Sequence, residues 1–362
     1  MISFKRGGRG REPQVFCMFR ISAGNLWLSL LPALLFFGPQ LIAQTPFQFP
    51  TANHYLYTPG AEAKFFAPTE PDKPWTSGGF GCVRDYGHRM HAGLDIIHLQ
   101  TNRRGEPTDP VMATADGTVV YFSIRPSLSN FGNYLVIRHL IQGMEVYSLY
   151  AHLSAIQPGL QVGSQVKAGQ VIATMGRTSN AEVIGQWRAH VHFQINLLLN
   201  DNFAAWFKRN APPGEVNYHG EWNGHNLSAL DPREILLGER DGKFDLKTFI
   251  GSQTELCRVM VRATNFPFLK RYPMLVLPNS NPAMLQKEGV AGYEISLNFN
   301  GVPFALMPRA ESEIKSRAKI QLLSVNEPVA LANPCCDIVV KRHGHWQLGN
   351  DGTHEMELLT YQ

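Results

Sequence analysis

His91-Ala92-Gly93-Leu94-Asp95 sets an imidazole and a carboxylate four residues apart, and His190-Val191-His192-Phe193 adds two more imidazoles downstream. Alternate side chains of an extended strand share a face. On that geometry His91, Gly93 and Asp95 point one way, and so do His190 and His192, while Val191 and Phe193 turn into a core. Three imidazoles and a carboxylate are donors that a catalytic zinc ion takes from protein. Gly93, between two candidate ligands, is read as leaving room for an ion or a substrate.

Outward from these stretches the pattern is one of short strands between glycine turns. Val111 to Tyr121 holds Asp116-Gly117 between two apolar runs, a hairpin signal. Asn133 to His139 and Glu145 to His152 are two further β-rich runs, and Val162 to Ala173 repeats valine and glycine at turn spacing. No stretch from 78 to 198 carries a helical period, so the fold class expected is mainly β, an antiparallel domain.

The same residues resemble the catalytic domain of the lysostaphin/LytM-type zinc metallopeptidases, which cut cell-wall peptide bridges. The matching pieces, in order, are Phe80-Gly81, the His-x-Gly-x-Asp of 91–95, and Pro110-Val111 with Ala113, Ala115-Asp116-Gly117 and Val119. Gly132-Asn133, Ile137-Arg138-His139, Tyr150-Ala151-His152-Leu153, Gly159 to Gly169-Gln170 and His190-Val191-His192-Phe193 complete the set. The resemblance implies a compact antiparallel β fold with its site in a groove, Zn2+ held by His91, Asp95 and His192, and His152 and His190 as the catalytic histidines. Taken singly, each motif is weak: His-x-x-x-Asp is commonly a surface pair, His-x-His in a strand is usually incidental, and His152 alone would read as a core histidine. The joint arrangement of five residues outweighs those readings. His139 is expected to be a satisfied core histidine, and His88, His98, His219 and His225 surface or hydrogen-bonded ones. Two departures stand out. The family commonly follows the last histidine with Phe-Glu, where this chain has Phe193-Gln194. The insert Cys82 to Met90 matches only loosely, and Tyr86 within it is the candidate for the tyrosine that often aids the family's transition state.

Four regions are expected along the 362 residues: a signal peptide (1–43), a proline-rich approach segment (44–77), the peptidase domain (78–240) and a second β-rich, sandwich-like domain (244–362). The leader holds Lys5, Arg6, Arg9, Arg11 and Arg20 against Glu12, ahead of an apolar run from Leu26 to Phe37, and Met18 would give a more ordinary start. Pro32 interrupts that short run, which argues against a permanent membrane span. Removing these five bases and one acid leaves 28 of each, so the formal charge of +4 belongs to the leader and implies no nucleic-acid partner. An exported, periplasmic or extracellular chain is the expectation.

Past 198, Asn202 to Phe207 reads as a short helix and Leu230 to Leu237 as a closing segment. Strand-like runs are read at 256–263, 272–277, 292–299, 319–323, 337–341 and 355–361, with a hairpin turn at Asn298 to Pro303. This region is expected to dock on the peptidase, bind wall polymer or bind a protein partner. Cys82, Cys257, Cys335 and Cys336 remain after export, into an oxidising compartment. Cys257 paired with Cys335 or Cys336 is one expectation, two free buried thiols the other. The function implied is a zinc metalloendopeptidase acting on peptidoglycan peptides. The alternative is a non-catalytic LytM-type regulator that activates another wall hydrolase. Such regulators usually lack one or more of the five residues, all of which are present here.

Overall fold

The computed structural model describes residues 47–69, 75–181 and 183–362, and these fall in one compact unit. The expected leader, with Met18 and Cys17, lies outside the described residues. None of the described helices is long and apolar enough to cross a membrane.

The strands of the first part are β1 (Gly81–Arg84), β2 (Arg89–His91), β3 (Leu94–Ile97), β4 (Pro110–Met112), β5 (Gly117–Ser123), β6 (Tyr134–Ile141) and β7 (Met144–Ala151). They are followed by β8 (Ala155–Ile156), β9 (Gln165–Val166), β10 (Val171–Thr174), β11 (His190–Leu198) and β12 (Leu227–Leu230). Among the described residues of 78–198 there are short 3-10 turns but no α-helix, as the pattern of short apolar runs predicts. The main sheet is antiparallel in the order β12-β11-β7-β6-β5-β9, and β3 also pairs with β11. A smaller sheet, β4-β10-β8, stands apart from it.

The central strand is β11, buried along all nine residues. It has β7 on one edge, while the other edge is shared by β3, opposite His190 to Phe193, and β12, opposite Ile195 to Leu198. A strand covered on both faces explains why Val191, Phe193, Ile195 and Leu197 are all apolar and fully buried, while His190 and His192, alternating with them, face the site. The approach segment contributes to this core. Phe47, Phe49, Leu56, Phe65 and Phe66 are buried, and the backbone of 65–67 bonds the edge of β3 away from β11 through Ile97 N–H to Phe65 O (2.9 Å) and Ala67 N–H to Asp95 O (2.8 Å).

The hairpin expected at 111–121 does not form. β4 pairs with β10 and β5 with β6 and β9, so Ala113 to Asp116 crosses between two sheets. Gly117 is required by proximity rather than by a turn, since a Cβ there would lie 2.5 Å from the Arg138 carbonyl oxygen.

Seven helices follow the sheet or lie among the later strands: α1 (Phe203–Asn210), α2 (Pro232–Glu239), α3 (Leu246–Gly251), α4 (Pro267–Arg271), α5 (Pro282–Glu288), α6 (Glu327–Ala332) and α7 (Asn350–Leu359). The short helix and the Asp-Pro segment appear as α1 and α2, the latter capped by Asp231, which accepts from Arg233 N–H (2.8 Å). The remaining strands are β13 (Cys257–Val261), β14 (Gly292–Leu297), β15 (Pro303–Arg309), β16 (Ile320–Val325), β17 (Val339–Arg342) and β18 (His345–Leu348). In place of the expected sandwich, the described residues of this part form a four-stranded antiparallel sheet, β15-β14-β13-β16, and the hairpin β17-β18, with helices around them. The turn at 298–303 joins β14 to β15, with Gly301 at φ +81°.

Two expected strands are helical. At 355–361 the alternation of Met356 and Leu358 suggested a strand. The buried set is Gly352, Met356 and Leu359 with Leu358, the spacing of a helix face. At 272–277, Pro273 starts a helical turn (Pro273–Leu275) just after α4, and the buried Tyr272 hydroxyl oxygen accepts from Leu198 N–H (2.9 Å). The expected Cys257 pairing is also corrected. Cys82 is disulfide-bonded to Cys335, and Cys257 and Cys336 are free thiols. The bond follows from the packing of the β1–β2 hairpin against the segment after α6, a juxtaposition 253 residues apart in the chain.

Candidate metal centre and its groove

Strand register assembles the site. His192 lies directly opposite Asp95 of β3 and, on its other edge, opposite Ala151, the residue before His152. His91 ends β2, and the chain crosses to β3 through Ala92-Gly93 rather than continuing as one strand. Gly93 is needed at that crossing because a Cβ would meet the Phe193 carbonyl oxygen at 2.4 Å, Gln194 Cγ at 2.9 Å and His192 Cε1 at 3.0 Å. The expected room for an ion or substrate at Gly93 is therefore filled by β11.

His91 Nε2, His192 Nδ1 and Asp95 Oδ1 form a triangle with sides of 3.0, 3.0 and 3.1 Å. Zinc donors at about 2.0–2.1 Å in a tetrahedral arrangement lie about 3.3 Å apart, so this donor set and its size suit zinc. All three residues are buried. The other nitrogen of each histidine is engaged: His91 Nδ1 with the Gly79 carbonyl (2.6 Å), His192 Nε2 with the Gln194 side-chain amide (2.9 Å). Such contacts set tautomer and ring orientation around a metal.

His152 and His190 stand beside the triangle, with ring centroids 4.9 Å apart. His152 Nδ1 is 2.8 Å from the Thr178 carbonyl and His190 Nδ1 2.7 Å from that of Arg188. A carbonyl only accepts, so each ring carries its proton on Nδ1 and presents Nε2 as a base. Burial, then the neighbouring His190 and His192, pushes His152 down to about 3, and burial likewise lowers His190 and His192. Asp95 is fully buried, which opposes its charge, yet His190, His91, Arg84 and a hydrogen bond from His192 hold it well below the usual carboxylate range. His152 itself has φ +60°, a left-handed conformation uncommon for a non-glycine residue and frequent where side chains are aimed at chemistry.

These residues floor a groove of about 330 Å³ whose lining includes Thr69, Arg84, Asn130, Phe131 and Ser179. Thus all five expected site residues come together. Tyr86 does not join them: it is 66% exposed, on the turn between β1 and β2, outside the groove lining. His139 is the core histidine expected, bonded to the Asp116 carbonyl and Ser148 Oγ. Arg84 is the residue the sequence did not reveal. Its guanidinium pairs with Asp95 Oδ2, and its only sequence signal is a charge in a loosely matching insert.

Residues 89–203 match the model of peptidase family M23. Lipoprotein NlpD of Yersinia enterocolitica is 36% identical over 91 residues, which cover 25% of this chain and 80% of that protein. The chain belongs to peptidase family M23. Murein hydrolase activator NlpD of Escherichia coli K12 is 36% identical over 103 residues, 28% of this M23 chain and 22% of that protein, so the match spans about a fifth of that relative. Among solved structures, the catalytic domain of lysostaphin from Staphylococcus simulans is 24% identical, covering 44% of this chain and 87% of that one, with a TM-score of 0.26.

Proposed function

We propose that the chain is an exported zinc-dependent metalloendopeptidase that hydrolyses peptide bonds of peptidoglycan cross-links or stems. The observation carrying this reading is the presence of two histidine bases beside a three-donor cluster on the floor of one groove. His91, Asp95 and His192 would hold the ion, and three protein donors leave a further position open, unlike a closed structural site. Zinc bound there supplies a Lewis acid that brings the pKa of its water to about 7.

The chain's own residues do the rest. The Gly79 carbonyl fixes Nδ1–H of His91 and so aims Nε2 at the cluster. Gln194 sets its side-chain amide 2.9 Å from Nε2 of His192; turned so that its oxygen accepts from Nε2–H, that amide would leave Nδ1 with its lone pair for the ion. His152 and His190 stay neutral through burial, accept the proton of the attacking water at Nε2 and return a proton to the leaving amine. Phe131, its ring centroid 5.7 Å from that of His192, forms part of the groove lining beside the donor cluster.

A second reading is favoured by the relatives' names. Proteins called murein hydrolase activators share this region, and the corresponding role here would be to bind and activate another wall hydrolase. Zinc content of the purified chain, measured with dye release from sacculi with and without chelator, separates the two. About one zinc per chain with chelator-sensitive release is the outcome expected of the enzyme. No zinc and no release would leave the activator. His152→Ala is expected to retain zinc and lose turnover by about 10²-fold or more, and substantial turnover would remove His152 from the chemistry.

A further inference from the structure

Asp95 divides its two oxygens between different neighbours. Oδ1 faces His91 Nε2 and His192 Nδ1, the donor triangle, whereas Oδ2 is turned to the Arg84 guanidinium and to His190 Nε2 at 3.4 Å. His190 turns its Nδ1 to the Arg188 carbonyl at 2.7 Å, and its Nε2 stands 3.4 Å from Oδ2, beyond the usual length of a charge-assisted hydrogen bond. Among the described residues Arg84 is therefore the donor that satisfies Oδ2 inside a buried site. Without it a buried carboxylate oxygen would lose its hydrogen-bond donor, a costly change away from water.

The backbone is shaped to deliver this side chain. The β1–β2 register runs Gly81↔His91, Cys82↔Met90, then Arg84↔Arg89, so Val83 is an extra residue and the strand bulges immediately before Arg84. Bulges re-aim side chains and recur beside active sites. The three residues that follow, Asp85, Tyr86 and Gly87, all have left-handed backbone (φ 48°, 56° and 93°). The Cys82–Cys335 disulfide ties the same strand to a distant part of the chain. A bulge, a left-handed turn and a covalent tie thus surround one arginine that is only 12% exposed.

We propose that Arg84 is a positioning residue for Asp95: by holding Oδ2 it fixes the carboxylate so that Oδ1 alone is offered to the metal. This rests on the zinc reading above. The guanidinium also places a positive charge near the ion, which by itself would weaken metal binding. The two effects have opposite signs, so the measurement decides between them.

The experiment compares wild type, Arg84→Met and Arg84→Lys for zinc affinity by chelator competition, and for kcat and KM on sacculus-derived peptides at saturating zinc. Circular dichroism checks folding of each. Arg84→Met is expected to weaken zinc binding about 10–100-fold, as loss of a group orienting a ligand does, and to lower kcat with KM little changed. Arg84→Lys, which restores a donor without the fork, is expected to recover part of both. Should Arg84→Met not fold, the intermediate zinc affinity of Arg84→Lys carries the same test. Zinc binding that is unchanged or tighter in Arg84→Met overturns the proposal, and a raised KM with unchanged zinc affinity would make Arg84 a substrate contact instead. A wild-type chain that takes no zinc removes the zinc reading and this inference together. A wild type that takes zinc while the variants bind it equally well removes only the inference.

Discussion

Replacing Gly93 by alanine places a methyl carbon 2.4 Å from the carbonyl oxygen of Phe193. Ordinary carbon–oxygen contacts begin near 3.3 Å, so β3 and β11 must part locally by about 0.9 Å. The obstacle is backbone in the buried central strand, which cannot swing aside as a side-chain tip would. Overpacking of this kind costs about 1–3 kcal/mol. The displacement falls on the crossing that links His91 to Asp95 and on the residue next to His192, while metal–ligand distances hold only within about 0.2 Å. Gly93→Ala is therefore expected to lower stability in urea by about 1–3 kcal/mol and to weaken zinc binding by at least about tenfold. Equilibrium urea unfolding of the metal-free chain and chelator competition measure the two separately. A variant within about 0.5 kcal/mol of wild type with unchanged zinc affinity would refute the reasoning, because it would mean that β3 and β11 are not in contact at Gly93.

Glu239 is buried, accepts from Phe47 N–H, and burial pushes its carboxyl up to about 7. The folded state then keeps a proton that the unfolded chain releases near its ordinary value of 4.5, so stability falls as pH rises from about 4.5 to 7. Glu239→Gln should remove that dependence and be more stable than wild type at pH 8 by on the order of 2 kcal/mol, and parallel stability–pH curves for the two would exclude Glu239 as the source. The disulfide closes a span of 253 residues, and a Cys82→Ser/Cys335→Ser chain is expected to lose about 2–5 kcal/mol in urea melts; a loss below about 0.5 kcal/mol would show that this pairing is not formed in solution. Tyr86→Phe is expected to leave turnover within about twofold, since the ring is exposed and outside the groove, whereas a loss of 10²-fold would return Tyr86 to the mechanism.

What could be read from the chain alone was local. The period-2 alternation of His190 and His192 against Val191 and Phe193 specifies a strand with one polar and one apolar series, and β11 has that form. The resemblance carried by the order of short motifs singled out His91, Asp95, His152, His190 and His192, and the strand register brings those five side chains together. Composition likewise marked 78–198 as strand-rich, whereas of the helices that follow only α1 was read as one.

Partnerships distant in sequence were decided elsewhere. Asp116-Gly117 had the chemistry of a hairpin turn, but β4 found its hydrogen bonds on β10, and the glycine serves close approach to β6. Glu355 to Tyr361 satisfied a strand's alternation over a few residues. The helix prevailed because Gly352, Met356 and Leu359 can be buried together only on a helical face. Cys82 met Cys335, and Arg84 met Asp95, through a bulged hairpin whose direction no residue spacing announces. By itself the sequence pointed to five of the groups at the site, because motif order and strand periodicity are properties of residues close in the chain, but not to Arg84. Only the tertiary structure decided which cation faces the Asp95 carboxylate and which thiols join, because those depend on how separate segments compete for the same buried space.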